Sequence, residues 1–261
     1  MLRLPRTQAV VDAVAGSLEV VDSSPSTNAV LRERAEVAHA AVLVTDHQTA
    51  GRGRLDRAWS APAGASVAVS VALRPIDGRG RPLSTERLGW IPLAAGLAMV
   101  DALDPVLPAP VALKWPNDVL VGGAKLCGVL AELASSGALV VGAGLNTRMT
   151  PAQRPVPTAT SLAIEGAPAD DDTVDGILAR YLRALLDDAA ALADGDAAAT
   201  GLAARVAARC ATLGSRVRVE LPGGGASLGI AVGLDDAGRL RVRGDGGAET
   251  TVAAGDVVHV R

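Results

Sequence analysis

Apolar runs separated by short polar segments predict a series of β-strands in the first half of the chain. Some runs alternate small and branched residues, as a strand packed on one face does, and others are continuously apolar, as fully buried strands are. The predicted strands cover residues 18–22, 40–48, 65–75, 111–121, 125–134 and 138–146. Gly122 and Gly123, between the fourth and fifth runs, are a hairpin signal, so these two strands are expected to pair.

The same pattern predicts three helices. The first follows a polar turn at Pro25, where Ser26 and Thr27 are typical helix caps. The second covers 86–103 and contains an uncharged apolar stretch that is too short to span a bilayer, so it is predicted to be buried. The third covers 173–193 and places seven apolar side chains on one face: Ile177, Leu178, Tyr181, Leu182, Leu185, Leu186 and Leu192.

The pattern of apolar and turn-forming residues changes near residue 211. The remaining residues form short apolar runs with tight turns between them, which predicts a small β-barrel of about 50 residues. We therefore expect two domains, a catalytic domain at 1–211 and a barrel at 212–261. The Pro-rich segment 149–161 is predicted to be a loop.

Composition narrows the classes of function. The 25 basic and 28 acidic residues give a formal charge of -3, which argues against a general affinity for nucleic acid or anionic membranes. Cys127 and Cys210 lie far apart and in no CxxC pair or His–Cys cluster, so no zinc site is predicted. A reduced, cytoplasmic protein is expected. The N-terminal segment is interrupted by Arg, Gln and Asp and does not have the pattern of a secretory signal.

Lysine is nearly absent from the chain. Lys114 and Lys125 are the only two lysines, and the other 23 of the 25 basic residues are arginines. A GC-rich genome explains why lysine is scarce, since it encodes Arg, Ala and Gly in place of Lys, Phe and Tyr. That bias does not explain why both lysines lie within one twelve-residue segment.

The loop "GRGRLD" at 51–56 follows a predicted strand and partly matches a dinucleotide-binding fingerprint. Asp56 stands at the third glycine position and no helix follows, so a Rossmann site is not supported. The loop also lacks the Gly-Lys-Ser/Thr of a Walker A motif. Arg52, Arg54 and Arg57 could clamp carboxylate or phosphate oxygens, and an exposed flexible loop explains the composition about equally well.

Polar side chains also occur in the strands that follow. Pro116 interrupts the predicted strand 111–121, which indicates a bulge or an edge strand. Asn117 and Asp118 beside it can form hydrogen bonds or bind metal, and Lys125 begins the next strand across the hairpin. Asn146 ends the strand after that. A single Asn at a strand end is usually a cap, but three polar clusters at neighbouring strand ends favour a site.

Four motifs, taken in order, resemble those of the bacterial biotin–protein ligases. They are "SPSTN", "QTAGRGR" with a following Trp, "KWPND" with its downstream Lys, Cys-Gly and Glu, and "GAGLN". The resemblance covers roughly residues 18–146 and implies an α+β fold. In this fold a mixed β-sheet is backed by helices, as in class II aminoacyl-tRNA synthetases, and a small SH3-like barrel follows.

The resemblance implies that the protein activates biotin with ATP. Biotinyl-5'-AMP and pyrophosphate would form first, and biotin would then pass to one lysine of the biotin carboxyl carrier domain of a carboxylase. Mg²⁺ would accompany ATP, and no tightly bound metal is implied. Because many relatives carry an N-terminal DNA-binding domain and only about 15 residues precede the first predicted strand, a monofunctional ligase without a repressor role is expected.

The resemblance also assigns residues to roles. The catalytic residues would be Lys125, Arg54 and Asp118, with Asp118 either binding metal or orienting the incoming amine. The biotin site would comprise Ser26, Thr27, Asn28, Gln48, Gly51, Arg52, Gly53, Arg54, Lys125 and Gly128. The nucleotide site would comprise Arg52, Arg57, Trp59, Asn117, Lys125 and Asn146, with Trp59 near the adenine. Leu55 and Asp56 depart from the pattern, since related loops often carry Arg and Gly there.

Two other functions fit parts of this pattern. A lipoate or octanoate ligase would share the fold, but those families carry a different Arg/Gly-rich stretch and lack "KWPND". A non-catalytic biotin sensor acting through a partner would bind ligand without turnover, and the lack of a DNA-binding module argues against it. Lys114 has no role implied by the resemblance and is interpreted as structural or peripheral, with contact to pyrophosphate as the weaker alternative.

Overall fold

The computed structural model describes residues 2–34, 36–55, 57–77, 79–220, 225–253 and 256–259. Its helices are α1 (Pro5–Asp12), α2 (Thr27–Glu33), α3 (Thr85–Leu103), α4 (Asp171–Asp194) and α5 (Leu202–Arg209). The strands of its first part are β1 (Ser17–Val20), β2 (Ala41–Thr45), β3 (Gly51–Arg52), β4 (Ala58–Trp59), β5 (Ser66–Leu73), β6 (Val111–Lys114), β7 (Asp118–Val121), β8 (Ala124–Leu133) and β9 (Leu139–Asn146). The remaining strands are β10 (Arg216–Glu220), β11 (Ala226–Leu234), β12 (Leu240–Arg243), β13 (Glu249–Val252) and β14 (Asp256–His259).

Seven strands form one mixed sheet in the order β1-β2-β5-β9-β8-β7-β6. β1 and β2 are parallel because α2 lies between them in the chain and provides the crossover. The other neighbours are antiparallel. The predicted mixed sheet backed by helices is confirmed.

The sheet is covered on both faces, and β2 shows the alternation that this requires. Val42 and Val44 belong to the large core that contains α3 and α4. Leu43 points the other way and packs with Leu31 of α2. The seven residues predicted to share one face of α4 are all buried, so the helical period in the sequence predicted this packing correctly.

The prediction of one strand over 111–121 is wrong. The segment forms two strands, β6 and β7, joined by a turn at Trp115–Asn117 in which the Trp115–Pro116 peptide is cis. The N–H of Asn117 donates to the Lys114 carbonyl at 3.1 Å and closes this turn. The prediction of an edge strand at Pro116 is correct, because β6, which leads into the Pro116 turn, is the edge strand of the seven-stranded sheet. The predicted turn at Gly122 and Gly123 is present, and both glycines have positive φ.

The last five strands form an antiparallel sheet in the order β13-β12-β11-β10-β14, as predicted for the C-terminal β-structure. Its turn at 235–239 packs on the first part of the chain. Trp90 Nε1 of α3 donates to the Asp236 carbonyl at 2.7 Å, and Trp115 Nε1 donates to the Gly238 carbonyl at 3.0 Å. The two indoles therefore fix this turn beside the β6–β7 turn. None of the helices in the described part of the chain combines the length and the apolar character needed to cross a membrane.

Candidate active site

The floor of the candidate site consists of small residues on three neighbouring strands. Ala68 of β5 pairs with Gly144 of β9, which pairs with Gly128 of β8. The next row joins Ser70 of β5 to Gly142 of β9. These positions carry little or no side chain, so the face of the sheet below α2 contains a depression that larger residues would fill.

Two cavities meet at this depression. The small cavity encloses about 160 Å³ and is lined by Ser26, Thr27, Asn28, Gln48, Trp59, Asp118, Lys125 and four of the floor residues, Ala68, Gly128, Gly142 and Gly144. The large cleft encloses about 1000 Å³ and extends from β8 to the N-terminal turn of α3 and the 235–239 turn. Arg52, Gly53, Arg54, Arg57 and Asn117 line both spaces. The structure therefore brings most of the predicted site residues together around one connected opening.

The start of α2 forms one end of the small cavity. The Ser26 hydroxyl accepts from the Ala29 N–H at 3.4 Å and caps the helix, as its sequence position predicted. Gln48 Oε1 accepts from the Thr27 N–H at 2.9 Å, which leaves the amide hydrogens of Gln48 at the cavity. Backbone and side-chain polar groups are therefore concentrated where the resemblance assigns biotin.

Asn28 is buried, and its amide is committed to the protein. Its Nδ2 donates to the Leu130 carbonyl at 3.1 Å and to Glu132 Oε2 at 2.9 Å. Its Oδ1 lies 2.7 Å from Ser70 Oγ. Because both amide hydrogens are already used, Asn28 shapes the cavity wall and has no N–H left for a ligand.

Lys125 lies at the other end of the small cavity. Its Nζ is 2.5 Å from Asp118 Oδ1 and 5.7 Å from the centre of the Trp59 ring. A Cβ added at Gly128 would lie 3.2 Å from the same Nζ, so the glycine is what leaves room for the ammonium. Lys125 is thus a fixed cation in a closely packed position.

Trp59 packs on two glycines of the floor, Gly128 and Gly144. A Cβ added at Gly144 would lie 2.6 Å from Trp59 Cε2, and Trp59 Nε1 is buried without a hydrogen-bond partner among the described residues. The indole lines the small cavity with Thr27 and Lys125. The structure therefore groups Trp59 with the residues assigned to biotin, while its predicted place near adenine remains a prediction.

The arginine loop folds over the opening as a short ladder. β3 and β4 pair through Gly51 with Trp59 and through Arg52 with Ala58. Arg54 Nη1 donates to Asn117 Oδ1 at 3.3 Å. Burial lowers the pKa of Arg54, and the nearby Asp118 carboxylate opposes that shift. The guanidinium has thus lost part of its hydration, which strengthens its attraction to an incoming anion. Asp56 lies outside the described residues.

Asn146 is the predicted site residue that lines neither cavity. It is buried, and its Nδ2 donates to the Thr160 carbonyl at 2.8 Å. In this structure it holds the loop after β9 against the sheet. Its nucleotide-binding role remains a prediction.

Ser70, Gly142 and Glu132 also belong to this region, although no role was predicted for them; Gly142 lies in the "GAGLN" motif and Glu132 is the Glu downstream of "KWPND". Ser70 is fully buried in the middle of β5, and a polar residue between apolar neighbours in a predicted buried strand was the available signal. Glu132 ion-pairs with Arg32 and accepts from Asn28. Within the described ranges no cluster of three or more His, Cys, Asp and Glu side chains is arranged to hold a metal ion.

The fold and this cation-lined site define a protein ligase of the biotin and lipoate type. The model of the "Biotin/lipoate A/B protein ligase family" matches residues 18–146, and that of the "Biotin protein ligase C terminal domain" matches 212–260.

The chain is 45% identical over 250 residues to a "Biotin--[acetyl-CoA-carboxylase] ligase" of Mycobacterium tuberculosis, covering 94% of this chain and 89% of that protein. It is 35% identical over 241 residues to a protein of the same name from Paracoccus denitrificans, covering 88% of this chain and 95% of that protein. The chain therefore belongs to the biotin protein ligase family, and the resemblance found in its motifs is confirmed.

Solved structures agree with this assignment. A "Biotin protein ligase from Aquifex aeolicus in complex with biotin and ATP" is 27% identical with a TM-score of 0.71, and the match covers 94% of this chain and 99% of that one. Another structure of biotin protein ligase from the same organism, at 23% identity, has a TM-score of 0.74 with the same coverage and supports the fold.

Proposed function

We propose that this ligase activates biotin with ATP, releases pyrophosphate, and transfers biotin from biotinyl-5'-AMP to a carrier lysine. The single observation that carries the proposal is the position of Lys125, between a small polar cavity and an arginine loop that faces a large cleft. Family membership defines the enzyme as a ligase, and the assignment of residues to steps is our proposal.

The first step brings two anions together, the biotin carboxylate and the α-phosphate of ATP. Lys125 and Arg54 provide fixed positive charge at the junction of the two cavities, where charge develops during attack. Arg52 and Arg57 extend this positive surface towards the cleft, where we assign the nucleotide together with Asn117. In this proposal Ser26, Thr27, Asn28, Gln48, Gly51, Gly53 and Gly128 form the biotin pocket.

Mg²⁺ enters this scheme with the nucleotide. Asp118 is ion-paired with Lys125, and the residues that the structure describes form no dedicated metal cage. That arrangement fits Mg²⁺, which is often bound mainly through substrate phosphates and water. We assign to Asp118 the task of holding Lys125 until the substrates arrive.

The second step requires the lysine amine of a carrier domain to reach the acyl-adenylate. The large cleft opens beside the small cavity and provides the path that we assign to the amine. We propose a carboxylase biotin carrier as the partner and the cytoplasm as the location, with domains at 1–211 and 212–261. Two cysteines, both free and buried, suit a reducing compartment.

Pyrophosphate release tests the proposal. The purified chain is incubated with biotin, ATP and Mg²⁺, and a carboxylase carrier domain is then added. We expect biotin-dependent pyrophosphate release followed by labelling of the carrier lysine. Folded protein that releases no pyrophosphate when biotin is present would refute the proposal, and biotin binding without turnover would favour a sensor.

A further inference from the structure

Ser70 lies directly behind the small cavity and connects two of its wall residues. Its hydroxyl is completely buried. The Oγ atom lies 2.7 Å from Thr27 Oγ1 and 2.7 Å from Asn28 Oδ1. Each of these separations is short enough for one O–H···O hydrogen bond, but Ser70 has only one hydrogen to donate.

The orientation of Asn28 is determined by its other partners. The Leu130 carbonyl and Glu132 Oε2 are acceptors, so the amide nitrogen must face them. Glu132 is held there by its ion pair with Arg32. A flipped amide would place oxygen against oxygen at both contacts, and Oδ1 therefore faces Ser70.

The direction of the remaining hydrogen bonds follows from this orientation. An amide oxygen can only accept, so Ser70 must donate its single hydrogen to Asn28. The 2.7 Å contact between Ser70 and Thr27 then needs a hydrogen from Thr27, because two hydroxyl oxygens at that distance with no hydrogen between them repel. Gln48 Oε1, at 3.2 Å from Thr27 Oγ1, is the longer contact and already accepts the Thr27 N–H.

Thr27 Oγ1 thus has only lone pairs left for the cavity that it lines. Gln48 beside it offers amide N–H groups. The pocket wall therefore presents one fixed acceptor next to one donor, a pattern that complements an N–H next to a carbonyl, as in a cyclic urea.

We propose that Ser70, Asn28 and Glu132 are positioning residues that hold the Thr27 hydroxyl as an acceptor and thereby select the urea N–H of the substrate. This inference rests on the proposed function and adds the origin of its substrate selectivity. Lipoate has no N–H at its dithiolane ring and would leave Thr27 unpaired. Sites built to bond a substrate N–H reject analogues without it by roughly 10⁴-fold.

The test uses two biotin analogues in which one or the other urea N–H is replaced by a ring oxygen, which keeps the shape of the ring. Dissociation constants for biotin, both analogues and lipoate are measured by calorimetry without ATP. Wild-type protein is expected to bind one of the two analogues about 100-fold more weakly than biotin, because that oxygen faces the lone pairs of Thr27.

In Ser70→Ala the Thr27 hydroxyl is free to rotate and can donate to the ring oxygen. The preference for biotin over that analogue should then fall by about 10-fold or more, while affinity for biotin itself changes less. Ser66→Ala is the matched control, because Ser66 lies four residues earlier on the same face of β5 and is also buried. It should keep the wild-type preference.

The outcomes separate this inference from the proposed function. If wild-type protein binds biotin but binds both analogues equally well, the selection by Thr27 is refuted. If Ser70→Ala discriminates as wild type does, the positioning role is refuted although the ligase function stands. Wild-type protein that neither binds biotin nor releases pyrophosphate refutes the proposed function itself.

Discussion

The Lys125 ammonium lies 2.5 Å from Asp118 Oδ1, and the two residues come from the neighbouring strands β8 and β7. The ion pair is partly exposed to the small cavity, with 34% of the Lys125 side chain and 21% of the Asp118 side chain accessible. Partial exposure makes the pair a modest contributor to stability. The pair lines the small cavity together with Arg54 and Asn117, which also line the large cleft, and this position gives the pair its significance for the proposed chemistry.

Replacement of each lysine by arginine separates charge from shape. Lys125→Arg is expected to lower biotin-dependent pyrophosphate release by about 100-fold, because Gly128 and Trp59 leave room for an ammonium and a planar guanidinium is broader. Lys114→Arg is the control, since Lys114 lines neither cavity, and it should keep most of the activity. Full activity in a folded Lys125→Arg protein would contradict the assignment.

The sequence predicted the local features of this site well. The paired glycines at 122 and 123 predicted the hairpin that places Lys125 opposite β7, because a tight turn with positive φ needs glycine. Ser26 predicted the start of α2 because a hydroxyl caps exposed helix N–H groups. Each of these signals depends on only a few consecutive residues, so the sequence alone is enough to predict it.

The features that depend on strand register could not be predicted from neighbouring residues in the sequence. Ala68, Gly144 and Gly128 form one row only because β5, β9 and β8 pair in a particular register. Ser70 reaches Asn28 through packing between elements 42 residues apart in the chain. The turn at Pro116 was missed because the flanking residues have an apolar pattern that also fits one long strand.

Gly144 is expected to be intolerant of substitution. Gly144→Ala would place a Cβ 2.6 Å from Trp59 Cε2, so the indole must leave the glycine floor. We expect biotin affinity to fall by about 10-fold or more, with a loss of about 1–3 kcal/mol in the free energy of unfolding. Gly246→Ala is the control, because an added Cβ there meets no atom within 4 Å. Calorimetry and urea unfolding measure the two effects, and unchanged biotin affinity in Gly144→Ala would contradict this account.

Thr212 links the C-terminal sheet to the β6–β7 turn. Its hydroxyl is fully buried and accepts from the Trp115 N–H at 3.0 Å. Thr212→Val keeps the shape but leaves that buried N–H unpaired, which should cost about 1–3 kcal/mol of unfolding free energy in urea titrations. Thr251→Val, at an exposed position in β13, should change stability by less than about 0.5 kcal/mol. Equal stability of the two variants would show that the Trp115 N–H finds another partner.

The buried thiol of Cys127 is expected to lower the stability of the folded protein in alkaline solution. Burial raises the pKa of this thiol from 9.0 to about 12 in the folded protein. The folded state therefore keeps its proton where the unfolded chain has lost it, so the contribution is fully present below pH 9 and is lost as pH rises towards 12. The slope approaches about 1.4 kcal/mol per pH unit for one such group.

Two other groups change stability in the same pH range. Burial raises the pKa of Tyr181, which adds to the effect of Cys127, and lowers the pKa of Lys114, which contributes with the opposite sign. The informative quantity is therefore the difference between wild type and Cys127→Ala, measured by urea unfolding between pH 9 and 11. The variant should lose stability less steeply, and parallel pH profiles would show that Cys127 ionises as freely in the folded protein as in the unfolded chain.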